Sequence, residues 1–438
     1  MKKKNHPVLL FIFVLCSVLL LGGLCMVYYA RLQREKTDSE MAENENAAMQ
    51  EGVSDGAKKR PETGSDKAGM RADGQQEALL SEITDADARQ SGEEEEAASL
   101  SEIETDVQPA GGQVVMTFTG DICFHDPFAN MGAYRQRGGD IGKCIDDTLL
   151  TEMRDSDICM INNEFPYSSG GVPLADKAYT FRSRPENVKI LTDMGVDIAG
   201  IANNHAFDYG EEAFLDTLDV LRAEGIQYAG GGRNLAEASA PVIVEKSGMK
   251  LGFLAATQIE RTYSPDTRGA TESRAGVMRS FTPDEYERFL EAVRQADGQC
   301  DFLTVFIHWG DENTDVLDAY QTEQAAGFIG AGADLVVGAH PHCLQGLGQV
   351  DGVPVIYSLG NYWFNSKTVD TALLKVVVED GKLLSVQMIP ALQHDCRTDH
   401  LEGADRQRII DYLNSISRDG VSLDAEGYLT WQETAENP

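Results

Sequence analysis

Six short apolar runs, each ending in a polar cluster, constrain this chain more than any other feature of its sequence. VVMTFT runs into Gly120-Asp121, DICMIN into Asn163-Glu164, and DIAGIA into Asn203-Asn204-His205. FLTVFI then meets His308-Trp309-Gly310-Asp311-Glu312, ADLVVG leads to His340-Pro341-His342, and VPVIYS leads to Leu359-Gly360-Asn361. Runs this short and this rich in Val, Ile and Phe read as buried strands. In open α/β sheets ligands bind beyond the carboxyl ends of the strands, so the clusters are expected to converge in space. Four of the chain's eight histidines lie in them. Asp, Glu, Asn and His gathered on one sheet edge are the ligand chemistry of a divalent metal of hard to borderline character.

Between the runs, apolar residues three and four apart predict helices over Asp140 to Arg154, Pro185 to Met194, Glu211 to Glu224, Pro283 to Ala296 and Ala319 to Gly330. Strands alternating with helices indicate an α/β layered domain. Two segments differ. Pro241 to Ala256 holds two apolar runs joined by Lys246-Ser247-Gly248, and Leu373 to Leu392 turns at Asp380-Gly381. Both predict antiparallel hairpins. Parallel strands supplemented by antiparallel ones point to a sandwich of two sheets with outer helices rather than to a purely doubly wound fold.

The amino-terminal residues bear on compartment. Lys2, Lys3 and Lys4 precede an uncharged run from Val8 to Ala30, long enough to cross a bilayer core of roughly 30 Å. A basic flank belongs in the cytoplasm, which turns the rest of the chain outward. A cleaved signal peptide would want a shorter apolar region, and a lipoprotein would want a small residue where Leu15 and Leu24 precede Cys16 and Cys25. Residues 1–30 are therefore expected to be a retained membrane anchor. Residues 31–112 lack apolar periodicity and include Glu93 to Glu96 in a row. Such a segment cannot bury enough apolar surface to offset its ordering entropy and is expected to be a disordered acidic linker. Residues 113–438 form the expected extracytoplasmic domain.

The formal net charge of −34 argues against nucleic acid and against docking on anionic lipid. It also means that a polyanionic substrate would need local metals or arginines to overcome a general repulsion. An outward domain permits disulfides, but Cys123, Cys144, Cys159, Cys300, Cys343 and Cys396 form no CxxC pair and leave the connectivity open. Cys159 and Cys300 read as small buried apolar residues, while Cys123 and Cys343 flank Asp121 and His342.

Each cluster carries its own chemistry. Gly120 is expected to let the backbone turn sharply and aim Asp121 into the crevice. Glu164 has no basic neighbour and needs a partner, which a metal would supply. Two amides and an imidazole in succession, Asn203-Asn204-His205, are hard to bury without an ion or substrate to receive their lone pairs. In His340-Pro341-His342 the proline is expected to hold His340 extended, so that the two rings project on defined vectors. With His308, these residues would hold one or two divalent ions, which lower the pKa of water towards about 7. His205 or Glu312 could then move the proton. Asn203, Trp309, Asn361 and Trp363 stand beside the strand ends and are expected to wall a substrate cleft, although aromatics are as often core. His125 either faces the same crevice or belongs to a surface loop.

In order and content, Gly120-Asp121, Asn162-Asn163-Glu164, Ala202-Asn203-Asn204-His205, His308 to Glu312, Gly338 to His342 and Tyr357 to Asn361 resemble the CapA family of poly-γ-glutamate capsule proteins, over about Val114 to Asn365. That resemblance implies a metallophosphatase-like four-layer α/β/β/α sandwich. It also implies metal ligation by Asp121, Glu164, Asn204, His308, His342 and His340, with His205 assisting the leaving group. The metal would be Mn, Zn, Fe or Mg. Where the wider superfamily has Asp-x-His, this chain has Asp121-Ile122-Cys123, which puts the first metal position in question. The resemblance further implies an anionic envelope polymer such as poly-γ-glutamate as partner, together with membrane ligase or export subunits. The function expected from it is synthesis, export or trimming of that polymer by metal-assisted hydrolysis or transfer. The alternatives are a non-catalytic polymer-binding scaffold and a wall-remodelling enzyme acting on peptidoglycan peptides.

Overall fold

The computed structural model describes residues 112–175, 177–260 and 267–431. The expected anchor and nearly all of the expected acidic linker lie outside the described residues. Among the described residues no helix is long and apolar enough to cross a membrane.

The first half of the domain supplies β1 (Gln113–Ile122), β2 (Ile158–Asn163), β3 (Ile198–Gly200), β4 (Gln227–Ala229), β5 (Gly231–Gly232), β6 (Val242–Lys246), β7 (Met249–Thr257) and β8 (Gly276–Val277). The second half supplies β9 (Phe302–His308), β10 (Leu335–Ala339), β11 (Leu347–Val350), β12 (Val353–Ile356), β13 (Asn361–Trp363), β14 (Val369–Glu379), β15 (Lys382–His394), β16 (Arg397–His400), β17 (Val421–Leu423) and β18 (Leu429–Trp431). One large sheet runs β16-β15-β14-β1-β2-β3-β4, with β13 also paired to β1, a second runs β11-β12-β10-β9-β7-β6, and β17-β18 and β5-β8 form two-stranded ribbons. Strands β1 to β4 are mutually parallel. So are β7, β9, β10 and β12. The antiparallel hairpins expected at Lys246-Ser247-Gly248 and Asp380-Gly381 are β6-β7 and β14-β15. Positive φ at both central residues of each turn, Ser247 and Gly248, then Asp380 and Gly381, matches the right-handed strand twist.

Strand alternation sets which face each side chain takes. Across the second sheet, Ala255, Phe306, Val337 and Ile356 are in register and join the core that also contains Val114, Met116 and Phe118 of the first sheet. The Phe118 and Phe253 rings meet across that core at 6.4 Å. The next row, Leu254, Val305, Val336 and Val355, packs outward against Phe289, Val293 and Phe328 of the helices Pro283–Asp297 and Ala319–Gly330. On the outer face of the first sheet, Thr117 and its register partner Lys375 bond to Ser156 and Glu152, at the end and in the body of the helix Asp147–Asp155. The fold is thus mixed α/β with two sheets sharing an inner core and helices outside both.

Two sequence expectations change in detail. Asp140 to Arg154 is not one helix. Asp140 caps a 3-10 turn, Ile141–Lys143, and Asp146 then caps Asp147–Asp155 through Thr148 N at 2.8 Å. The break lets Ile145 bridge to Thr398 of β16. Pro185 to Met194 is a 3-10 turn, Pro185–Val188, running into a short helix that stops at Gly195. The helices Ala129–Gln136, Leu235–Ala238 and Gly403–Ile416 were not expected.

Candidate metal centre

The carboxyl ends of β1, β2, β3, β9 and β10 meet at one edge of the two sheets, as the sequence implies. In β1 the register with β2 shifts between Phe118 and Asp121, an irregularity of the kind that re-aims a side chain. Gly120 has no left-handed backbone conformation. A Cβ there would sit 1.9 Å from Gly360 O, so its role is close approach of two backbones rather than a sharp turn. Asp121 N donates to that same Gly360 O at 2.9 Å.

Asp121 is fully buried. Its Oδ1 accepts from Asn162 Nδ2 at 2.7 Å, and His342 Nδ1 lies 3.1 Å from Oδ2. The backbone N–H of His340 reaches both of its oxygens at 3.3 Å, joining the two sheets directly. Glu164, just past β2, is equally buried. Its Oε1 lies 3.8 Å from His205 Nε2, 3.9 Å from His308 Nε2 and 3.8 Å from His342 Nε2. Those three nitrogens come from three different strand ends and face one oxygen that has no hydrogen-bond partner.

The remaining candidate ligand residues complete the cluster. His308, at the end of β9, bonds Asn204 Oδ1 through Nε2 at 2.9 Å, and Asn162 Nδ2 stands 3.3 Å from its Nδ1. His340 is buried with its Nδ1 unpartnered. Its φ is +99° and that of His342 is +57°, so His340 is not held extended by the following proline. Bulky side chains rarely take such backbone angles, and the strain is retained because the Asp121 carboxylate receives the His340 N–H.

Three donor sets have ligand atoms within 4.8 Å of one another: Glu164, His308 and His340; Asp121, Glu164 and His342; and Glu312, His340 and His342. The orphaned Glu164 Oε1 and His340 Nδ1, both buried, are the atoms a cation would satisfy. A donor set of carboxylate, imidazole and amide suits Mn, Fe, Zn or Mg. The residues therefore fit a divalent ion.

The electrostatics agree. Burial and the neighbouring Asp121 push the Glu164 carboxyl well above its usual range. Burial acts to lower His342, but Glu164 and Asp121 outweigh it and raise the imidazole to about 10. His340, deprived of water and facing His342, falls to about 3. In the metal-free centre His342 therefore carries the positive charge that a cation would otherwise supply.

Beside this cluster lies a dyad that the sequence only half revealed. His205 Nδ1 is 2.6 Å from Asp208 Oδ2, and burial followed by the Lys177 ammonium holds the imidazole well below its usual pKa. Asp208 is raised to about 6 by burial, a shift that Lys177 moderates through a 2.7 Å contact to Oδ1. Lys177 Nζ also donates to Asn204 O at 2.6 Å. The Phe181 ring stacks on His205 at 4.0 Å, and the Phe364 ring lies 4.9 Å from His342.

Several expected site residues have other work. Trp309 is fully buried, stacks with Tyr357 at 5.8 Å and donates from Nε1 to Tyr357 O at 2.9 Å. Trp363 is fully buried against Phe124 and donates to Cys396 O at 3.2 Å. Both are core, and Phe181 and Phe364 are the aromatics beside the centre. Asn203 is fully buried as an internal bracket, donating to Asn163 O at 2.9 Å and accepting from His205 N at 3.1 Å. Asn361 does stand at the centre, where its Oδ1 meets His342 Nδ1 at 2.9 Å. Glu312 is exposed at the rim beside His340 and His342. His125 accepts from Arg182 N at 3.0 Å and packs edge-on to Phe128.

All six cysteines of the domain are unpaired, and burial raises the Cys123 and Cys343 thiols, Cys343 to about 11. Asn162, Lys177, Phe181 and Asp208 were missed as site residues. Asp208 had a signal in its position three residues after His205, whereas Lys177 and Phe181 lie in a loop with no periodicity.

A family model described as bacterial capsule synthesis protein PGA_cap matches residues 115–366. The PGA biosynthesis protein CapA of Bacillus subtilis (strain 168) is 30% identical over 269 residues, 59% of this chain and 66% of that protein. The capsule biosynthesis protein CapA of Bacillus anthracis is 29% identical over 220 residues, 49% of this chain and 52% of that one. A probable polyglutamine synthesis accessory protein of Mycobacterium tuberculosis (strain CDC 1551 / Oshkosh) is 26% identical over 283 residues, 61% of this chain and 74% of that one. The chain spans less than two thirds of the length of the first two.

Proposed function

The chain belongs to the bacterial capsule synthesis protein PGA_cap family, and on that premise we propose that it is a membrane-anchored, extracytoplasmic protein that hydrolyses or transfers bonds of poly-γ-glutamate or a related anionic capsule polymer. The relatives named for capsule and polyglutamate synthesis support the polymer class. The uncharged run from Val8 to Ala30 supports the anchor. Two sheets sharing a core, with helices on both outer faces, support a metallophosphatase-like four-layer sandwich. Membrane ligase or export subunits are the partners this placement implies.

The observation that carries the catalytic part is the convergence of His205, His308 and His342 on the unpartnered Glu164 Oε1. Asp121, Glu164, Asn204, His308, His340 and His342 would hold the cation, which when bound supplies Lewis-acid polarisation of a carbonyl or phosphoryl oxygen and makes water more acidic. His205 is the proton carrier of the centre. Its Nδ1 is tied to Asp208, which leaves Nε2, facing Glu164, as the nitrogen that takes up or gives a proton. Asp208 is itself fixed by Lys177 and by Phe181 N at 2.6 Å, so the imidazole has one orientation. Phe181 and Phe364 exclude water from two sides, and Glu312 stands exposed at the rim beside His340 and His342.

The test is the full chain in detergent micelles, loaded with Mn or Zn and incubated with poly-γ-glutamate, with polymer length and new end groups followed over time. Shortening or transfer should require the ion and should fall about 100-fold in His205→Ala. A loaded chain that binds the polymer but leaves its length and ends unchanged contradicts the catalytic reading and favours the polymer-binding scaffold.

A further inference from the structure

A chain with 71 acidic and 37 basic residues nevertheless gathers four guanidinium groups around one groove of about 460 Å³. Arg268, Arg274, Arg279 and Arg288 line it, with Leu174 and Phe207 among its apolar lining. Two of the four are committed internally. Arg268 pairs with Glu211, and Arg279 is held between Glu260 and Glu285. The other two, Arg274 and Arg288, are exposed and have no carboxylate partner among the described residues.

Their positions are set by rigid elements. Arg274 closes a tight turn in which Thr271 and Arg274 exchange backbone hydrogen bonds at 3.1 and 3.4 Å, next to β8, which pairs with β5. Arg288 stands on the helix Pro283–Asp297, whose first turn is locked by the capping box of Thr282 and Glu285. The groove and the metal centre share one loop. Phe207, beneath the Arg268 guanidinium at 5.4 Å, lies between His205 and Asp208 in sequence, and Leu174 N donates to Asp208 O at 2.8 Å.

We propose that this groove is a subsite for the side carboxylates of a polycarboxylate chain whose reacting segment lies at the metal centre, with Arg274 and Arg288 as the carboxylate-binding residues. Guanidinium forks match carboxylates bidentately. A substrate repelled by the net charge of −34 needs a local cationic track to approach at all. Apolar surface between the arginines suits the methylene segments of a γ-linked glutamyl backbone. The inference rests on the proposed capsule-polymer function and names how that polymer is held.

The experiment is fluorescence anisotropy of end-labelled poly-γ-glutamate with the metal-free full chain in micelles, comparing wild type with Arg274→Glu/Arg288→Glu across a salt series and with polyphosphate of matched charge as competitor. Wild type should bind poly-γ-glutamate, and the double variant should bind about tenfold more weakly with a shallower salt dependence. Melting temperature should be unchanged, as should the metal content of separate samples supplied with Mn or Zn. Arg274→Gln/Arg288→Gln provides the same comparison without charge reversal. Equal affinity of wild type and both double variants overturns the subsite and leaves the capsule-polymer function standing. Binding of polyphosphate by wild type with no binding of poly-γ-glutamate overturns the substrate class of both.

Discussion

His342 Nδ1 lies 3.1 Å from Asp121 Oδ2, so an imidazole from the second sheet closes on a carboxylate from the first. The pair joins the two sheets at the edge where their parallel strands end. Glu164 and Asp121 raise that imidazole to about 10, so without an ion the candidate ligands are bridged by a charged His342.

The first prediction follows from that charge. His342 is raised to about 10 in the metal-free centre by Glu164 and Asp121, against the effect of burial. A folded pKa above the unfolded one gives stability that is fully present below about 6.5 and is lost as pH rises through about 10. Glu164, also raised, acts in the same direction. Metal-free protein should therefore melt at a lower temperature at pH 9 than at pH 7, and added Mn or Zn should reverse the order, because the ion displaces the proton from His342. Thermal melts with and without the ion check this. The apparent affinity should rise with pH by up to about tenfold per unit for each proton released.

Lys177 supports the dyad from behind. Its ammonium and the Asp208 carboxylate are both almost wholly buried at 2.7 Å. Lys177→Met leaves a buried carboxylate without its cation, and breaking such a pair costs roughly 3 kcal/mol. Urea unfolding should show that loss while the ion is retained, since Lys177 donates nothing to it. Loss of the ion in this variant would mean that Lys177 organises the ligands themselves.

Trp309 separates core from cleft. Trp309→Phe removes the hydrogen bond to Tyr357 O inside the second core, at a cost of about 1 to 3 kcal/mol. Stability should drop by that amount in urea titration, with metal binding and any turnover unchanged. A selective loss of polymer binding would restore the cleft assignment.

Gly120 is the tightest backbone contact of the centre. Gly120→Ala places a Cβ 1.9 Å from Gly360 O and must push β1 away from the loop that follows β12. The variant should lose the ion and several kcal/mol of stability, roughly 4. Calorimetry and metal analysis together test it.

The strand ends were legible because two independent patterns agreed on them. A buried run needs Val, Ile and Phe, and a site needs polar groups, so the switch from one to the other marks Asp121, Glu164, Asn204, His308 and His342 from sequence alone. The hairpins were legible because Ser247-Gly248 and Asp380-Gly381 tolerate positive φ. What sequence could not show was direction. Trp309 and Trp363 are adjacent in sequence to site clusters, yet strand alternation turns them away, and only the faces of β9 and β13 reveal this. The backbone of His340 is held by a hydrogen bond to Asp121, 219 residues away, a constraint that no local rule about proline contains. Lys177 and Phe181 sit in a loop whose course is set by Asp208 and Asn204 rather than by its own residues. The arginine groove depends on the spacing of Arg268, Arg274 and Arg288 on different elements, which composition hides beneath a large negative charge.

The most direct test of the centre is the metal content of the full chain by elemental mass spectrometry after supply of Mn and Zn, for wild type and for Asp121→Ala/His342→Ala. Wild type should retain one or two ions per chain through buffer exchange, and the double variant should retain none while remaining folded. Wild type that retains no ion at any pH between 7 and 9 contradicts the metal centre and leaves the converging imidazoles as a structural cluster.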